Sequence, residues 1–263
     1  MIDSHCHLNF DYLRDNLSNI ISNAKKNHIT SILTINTDPS EFLDHYALIK
    51  NYKSIYISYG LHPNYVTDKK LTSKEEIIKF STNKKVIGIG ETGLDFFHSD
   101  TLKKEQIKVF EEHIEASIST NLPIIIHQRN SENEIIEILK SYLKKYSLKV
   151  VFHCFTGTNN LKKFSLDNGF YISLSGIITF KNAKELRDII KDIPLSSILL
   201  ETDSPYLSPE PYRGKKNEPS FVKHIGEYLS NFFNIPIADF INQTDDNFYK
   251  LFSKAIRYNE ISL

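Results

Sequence analysis

The chain has no tryptophan, one methionine and two cysteines in 263 residues. Two cysteines are too few for a disulfide scaffold, and both stand beside histidines (Cys6 and Cys154), so a reducing setting is expected. No run of 18 apolar residues occurs, which excludes a helical membrane span. Charged and polar residues come at once (Asp3, Asp11, Arg14), where a secretory leader would be apolar. The expectation is a cytoplasmic protein with no membrane partner. Neither sign of charge prevails, since 32 Lys+Arg balance 32 Asp+Glu. That excludes a chain that wraps nucleic acid with one basic face, and any polyanion has to be held at a local site. No linker, low-complexity tract or repeat is evident, so residues 1–263 are expected to form one domain. Its oligomeric state, monomer or otherwise, is not legible.

What is present is a rhythm of short apolar runs: Met1–His5, Ser31–Ile35, Ser54–Tyr59, Val86–Ile89, Pro123–Ile126, Lys149–Phe152, Phe170–Leu174 and Ser197–Leu200. Most are β-branched or aromatic and nearly continuous, as in parallel strands buried on both faces. Amphipathic stretches lie between them; Ile107, Phe110, Ile114 and Ile118 recur at helical spacing. Each gap is long enough for a helical crossover. Eight such units predict an α/β fold, a (β/α)8 TIM barrel, with further helices after the eighth strand around Val222–Phe233 and Phe248–Ile256.

The polar residues collect at strand ends. His5-x-His7 opens the chain, and residues two apart on a strand share a face. Asp3 falls on that face as a supporting group, and Cys6 on the other. Gly60-Leu-His62-Pro follows the third strand, Gly90-Glu91-Thr-Gly-Leu-Asp95 the fourth, and His127-Gln-Arg129 the fifth. His153-Cys-Phe-Thr-Gly157 follows the sixth and Glu201-Thr-Asp203-Ser-Pro205 the eighth. A barrel gathers those ends on one face, where active sites are built. His5, His7, Glu91, His127, His153 and Asp203 would then converge, and imidazoles with carboxylates suit zinc, manganese or related divalent ions. His62 reads as a substrate contact. His28, His45, His98, His113 and His224 fall in helices or loops and read as surface or satisfied polar residues, and Cys154 as facing opposite His153.

Together these segments, with Arg213-Gly-Lys215 and Asn217-Glu-Pro219, resemble the TatD family of metal-dependent deoxyribonucleases, within the wider amidohydrolase-like barrels. Seven motifs in register, from the first residues to about residue 220, carry the resemblance. It implies a TIM barrel with two divalent metal ions (Zn, Mg or Mn). It implies His5, His7 and Asp203 on one metal, His127 and His153 on the other, and Glu91 bridging. One departure stands out: Asn130 follows Arg129 where the family usually has Asp, which puts the support of His127 in question.

The activity expected is hydrolysis of DNA phosphodiesters, as a 3′–5′ exonuclease on single-stranded or frayed ends. Glu91 and Asp203 are the catalytic candidates, Asp203 as acceptor of the water proton. Arg129 and Arg213 are candidate phosphate contacts, with Lys215 behind them, and Tyr206 or Phe155 a candidate stacking partner for a base. Two other classes stay open: a metal-dependent hydrolase of a small ester, lactone or amide, and a metal-stabilised scaffold. A glutamate rather than a lysine after the fourth strand favours the nuclease, because many amidohydrolase relatives bridge their metals with a carboxylated lysine.

Overall fold

Eight of the apolar runs become eight parallel strands: β1 (Ile2–Cys6), β2 (Ser31–Thr34), β3 (Ile55–Tyr59), β4 (Val86–Asp95), β5 (Ile124–Arg129), β6 (Val150–Phe152), β7 (Tyr171–Leu174) and β8 (Ile198–Leu200). They pair in sequence order. The structure, a computed structural model, describes residues 1–98, 101–258 and 263. Helices α1 (Asp11–Asp15), α2 (Leu17–Lys26), α3 (Phe42–Ile49), α4 (Lys74–Ser81), α5 (Lys103–Thr120), α6 (Glu132–Leu143), α7 (Asn159–Asp167) and α8 (Lys184–Ile190) alternate with the strands. Helices α9 (Val222–Phe233) and α10 (Ile237–Leu251) follow β8. None of the helices described is long and apolar enough to cross a membrane.

The ring is closed at the β8–β1 seam. The Asp203 N–H donates to the His5 carbonyl at 2.9 Å and the His7 N–H to the Ser204 carbonyl at 2.8 Å, with a parallel bridge between Cys6 and Ser204. The seam thus joins His5 to Asp203 and His7 to Ser204 through their own backbones.

Strand alternation divides the core in two. Ile32, Ile55, Ile57, Val86, Ile124, Ile126, Val150, Phe152, Ile172 and Ile198 face the helical layer. Their neighbours Ile2, Leu33, Tyr56, Ile87, Ile125, Val151, Tyr171 and Leu199 fill the barrel interior. Phe248, Leu251 and Phe252, at the end of α10, join that interior cluster and plug the end of the barrel opposite the motifs. One step further along the strands, two residues on, the interior turns polar at Ser58, His127, His153, Ser173 and Glu201, all but His127 buried outright.

The fourth strand departs from expectation. It does not stop at Ile89 but runs on to Asp95. The cause is a pair of glycines that break the pattern without ending the pairing. Gly90 and Gly93 have φ of 131° and 135°, and a Cβ there would lie 2.6 Å from the Ile125 carbonyl oxygen and 2.1 Å from that of His127. Only glycine fits. Between Ile89 and Thr92 the register with β5 slips, a bulge that re-aims the side chains beyond it. Glu91 therefore projects from within a strand.

Candidate metal centre

Glu91, 2% exposed, is the hub. Its Oε1 lies 2.7 Å from His153 Nε2, 3.1 Å from His127 Nδ1 and 3.2 Å from His62 Nε2; its Oε2 is 3.3 Å from His5 Nε2. At the seam, His7 Nε2 is 3.3 Å and His5 Nε2 3.7 Å from Asp203 Oδ1. The six residues predicted as ligands are thus brought together, and His62 joins them. Three trios have donor atoms all within 4.8 Å of one another: His5–His7–Asp203, His5–Glu91–His153 and His62–Glu91–His127. His62, expected as a substrate contact, is placed as close to the Glu91 carboxylate as His127 is. It also lines the cavity.

The donor set fits a cation. His5 is 1% exposed, yet neither of its ring nitrogens has a hydrogen-bond partner. A buried polar atom left unpaired costs about 1–3 kcal/mol. Two donors on one ion, each at about 2.0–2.1 Å in a tetrahedron, stand roughly 3.4 Å apart, and the distances here cluster around that value. The electrostatics agree. Burial pushes the Glu91 carboxyl up, but the imidazoles of His153, His62 and His5 and the bond from His127 outweigh it and hold it well below the usual range. Burial likewise raises Asp203, and the bond from His7 and the nearby His5 hold it low. His153 is desolvated, but Glu91 and Glu201 push it well above the ordinary histidine value. A field that holds a proton on an imidazole holds a divalent cation in its place.

Carboxylates behind the ring set the orientation of the imidazoles. Glu201, fully buried, lies 3.5 Å from His153 Nδ1 and 4.0 Å from His5 Nδ1, and accepts a hydrogen bond from the Ser173 hydroxyl. Both histidines therefore turn Nε2 toward Glu91. Asp95, also fully buried, lies 3.1 Å from His127 Nε2, which leaves Nδ1 for Glu91. Such partners fix tautomer and ring orientation at metal sites. Asp3 accepts from the Thr202 N–H and hydroxyl at 2.8 and 2.7 Å, a support of the β8 end. Pattern reading missed Glu201 and Asp95 as working residues. Both stood in quoted motifs, and the available signal was parity: Glu201 is two residues before Asp203, and Asp95 four after Glu91.

Above the hub opens a cavity of about 680 Å³, lined among others by His7, His62, His127, Arg129, Asp203 and Tyr206. Arg129 is exposed at its rim, its guanidinium 4.0 Å from the centre of the Phe97 ring. Arg213 is not among the lining residues. Its guanidinium stacks 3.7 Å over Phe180 and donates to the Ser208 carbonyl at 3.3 Å. Of the two stacking candidates, Tyr206 lines the cavity and is 54% exposed, whereas Phe155 is 3% exposed in the core and has no free face. Cys154 also lines the cavity, contrary to expectation. Its φ of 45° ends strand alternation at β6, and its thiol meets the Ser175 hydroxyl at 3.2 Å. Asn130 is exposed, with φ of 54°; the support of His127 comes from Asp95, so the Asp-to-Asn departure leaves it intact.

The other histidines divide. His113 accepts from the Leu61 N–H at 3.1 Å and donates from Nδ1 to the Val109 carbonyl at 2.7 Å, bonds that assign its neutral tautomer. His45 Nε2 meets the Thr34 hydroxyl at 2.8 Å. His98 is different: it lines the cavity, and its Nδ1 lies 2.8 Å from Asp95 Oδ2.

A family model described as TatD related DNase matches residues 2–253. An uncharacterized metal-dependent hydrolase of Buchnera aphidicola subsp. Baizongia pistaciae is 40% identical over 268 residues, covering 100% of this chain and 99% of its own. YcfH of Escherichia coli K12, also an uncharacterized metal-dependent hydrolase, is 34% identical over 255 residues, with 96% and 95% covered. The crystal structure of YjjV, a TatD homolog from E. coli K12, superposes with a TM-score of 0.87 at 27% identity, with 96% of this chain and 98% of that one covered.

Proposed function

The chain belongs to the TatD related DNase family of metal-dependent hydrolases, and from that premise we propose that it hydrolyses DNA phosphodiesters, removing nucleotides from the 3′ end of single strands. The observation that supports this most is the Glu91 carboxylate held among four imidazoles at the floor of an open cavity, with Arg129 at its rim.

Two divalent ions fit the donor set. His5, His7 and Asp203 would hold one, His127 and His153 the other, with Glu91 between and His62 beside it. Bound there, such ions supply Lewis acidity for the attacking water and the phosphate oxygens. The chain's own groups do the rest. Asp203, 14% exposed at its side chain, faces the cavity and takes the proton of the attacking water. The Arg129 guanidinium, braced on Phe97, offers a fork to the phosphate. Arg213, engaged with Phe180 and off the cavity, contributes only to strand outside the scissile position. Tyr206 offers a ring to an unpaired base.

The test is direct. Purified protein should release 5′-nucleotides from single-stranded DNA with Mg²⁺, Mn²⁺ or Zn²⁺, and stop with chelator. Turnover of a lactone, amide and phosphotriester panel with none of DNA would replace this reading by that of a small-molecule hydrolase.

A further inference from the structure

We propose that His98, held by Asp95, is the acid that protonates the leaving 3′-oxygen when the phosphodiester is cut. This rests on the phosphodiesterase reading above.

Displacement at phosphorus is in line, so the groups serving the entering and leaving oxygens must face the phosphate from opposite sides. Asp203, the proton acceptor, sits at the β8–β1 seam, where its N–H is bonded to His5. In a ring of eight strands in sequence order, the point opposite that seam lies between β4 and β5. There stands a pair that metal ligation does not use. Asp95, the last residue of β4, is fully buried, and His98 follows three residues later with its side chain 47% exposed in the lining of the same cavity. Arg129, the last residue of β5, is on the same side. The Glu91 hub lies between the two poles.

The pair is built to present one nitrogen. Asp95 Oδ1 accepts from the Phe97 and His98 backbone N–H groups, both at 3.0 Å. Oδ2 accepts from His98 Nδ1 at 2.8 Å and also meets His127 Nε2 at 3.1 Å. With Nδ1–H engaged by the carboxylate, Nε2 is the nitrogen left to exchange a proton with the cavity, the arrangement by which a carboxylate orients a catalytic imidazole. The step balances. Water oxygen bonds to phosphorus and gives its proton to Asp203. The P–O3′ bond breaks and its electron pair stays on O3′. The proton from His98 Nε2 goes to O3′, leaving a neutral Nδ1–H imidazole on Asp95 and a 3′-hydroxyl on the shortened strand.

An alkoxide leaving group needs that proton, whereas a nitrophenolate does not. His98→Gln should therefore lower kcat on a short single-stranded oligonucleotide by about 10²-fold or more, the range of general-acid effects. The deficit should shrink at least about tenfold on thymidine 5′-(p-nitrophenyl) phosphate. Across a series of substituted phenyl esters, the variant's rate should depend more steeply on leaving-group basicity than the wild type's. Bound metal, by elemental analysis of the purified protein, should be unchanged. Equal deficits on both substrates, no deficit on DNA, or a loss that tracks metal content would overturn the inference and leave the phosphodiesterase reading standing. A wild-type enzyme that cleaves neither substrate would overturn both.

Discussion

The two ends of this barrel share the same eight strands and obey opposite rules. At the N-terminal end, Ile2, Leu33, Tyr56, Ile87, Ile125, Val151, Tyr171 and Leu199 close on Phe248, Leu251 and Phe252. The packing there is apolar, and the Tyr56 hydroxyl that enters it donates to the Ile256 carbonyl at 2.8 Å. At the other end, the next interior layer gathers histidines and carboxylates, with buried ring nitrogens of His5, His7 and His153 unpartnered. Asn130, Cys154, Asp203 and Leu207 have positive φ at this end, a conformation that costs non-glycine residues of order 1–3 kcal/mol when imposed. One end supplies stability and the other uses some of it. Chemistry and packing are separated by two residues along a strand.

Substitutions at the two poles should therefore dissociate. Glu91→Ala removes the group that touches four imidazoles. Nuclease turnover should fall by more than about 10³-fold, beyond the 10–100-fold usual for supporting groups, with metal content reduced. The midpoint of urea unfolding in chelator should stay the same or rise, because the residue serves function at some cost in stability. Phe252→Ala should do the reverse: a loss of about 3–5 kcal/mol in stability, read by urea unfolding, with kcat/KM of the folded fraction preserved. A Glu91 variant that unfolds, or a Phe252 variant that stays stable but loses catalysis, would break the division between the ends.

Asp95 tests how far the working end extends downward. Asp95→Asn keeps the shape but removes the charge facing His127 and His98, and activity should fall about 10–100-fold. An unchanged rate would confine the site to the ligands themselves. The same residue shows what a sequence discloses. Strand count, strand order and the convergence of the six candidate ligands were legible because period-two apolar runs and strand-end histidines are one-dimensional signals. The extension of β4 to Asp95 was not, because Gly90 and Gly93 break the pattern while the ladder continues. The cavity-facing Cys154, the distance of Arg213 from the cavity, and the pairing of His98 with Asp95 turn on a single φ, a stacking partner and a loop path. None of these leaves a periodic trace.

Two buried histidines lie in the helical layer, His45 on α3 and His113 on α5, and pH probes them. Burial lowers His113 to about 4 and His45 to about 3, so both are neutral in the fold and both bind protons below about 6.5 when unfolded. Between about pH 6.5 and 4 the unfolded chain holds more protons, so stability falls as pH falls, by about 1.4 kcal/mol per pH unit for each histidine. His113→Gln should flatten the slope of unfolding free energy between pH 6.5 and 5 by about that amount. An unaltered slope would assign the acid sensitivity to the histidines around Glu91 instead.

The smallest effect is expected at Asn130, where the family resemblance leads one to expect Asp. Asn130→Asp adds a charge next to Arg129, so a reading from the motif alone predicts a gain in activity. The structure predicts almost none. Asn130 is exposed and His127 is already supported by Asp95. Its φ of 54° is a conformation that Asn adopts more readily than most residues, Asp being the other exception. The exchange should leave turnover within about twofold and stability within about 0.5 kcal/mol, the range of surface changes away from special features. A rise of tenfold or more, measured on single-stranded DNA at fixed metal, would mean that the charge at residue 130 reaches the phosphate through Arg129, and the working end would then include its rim.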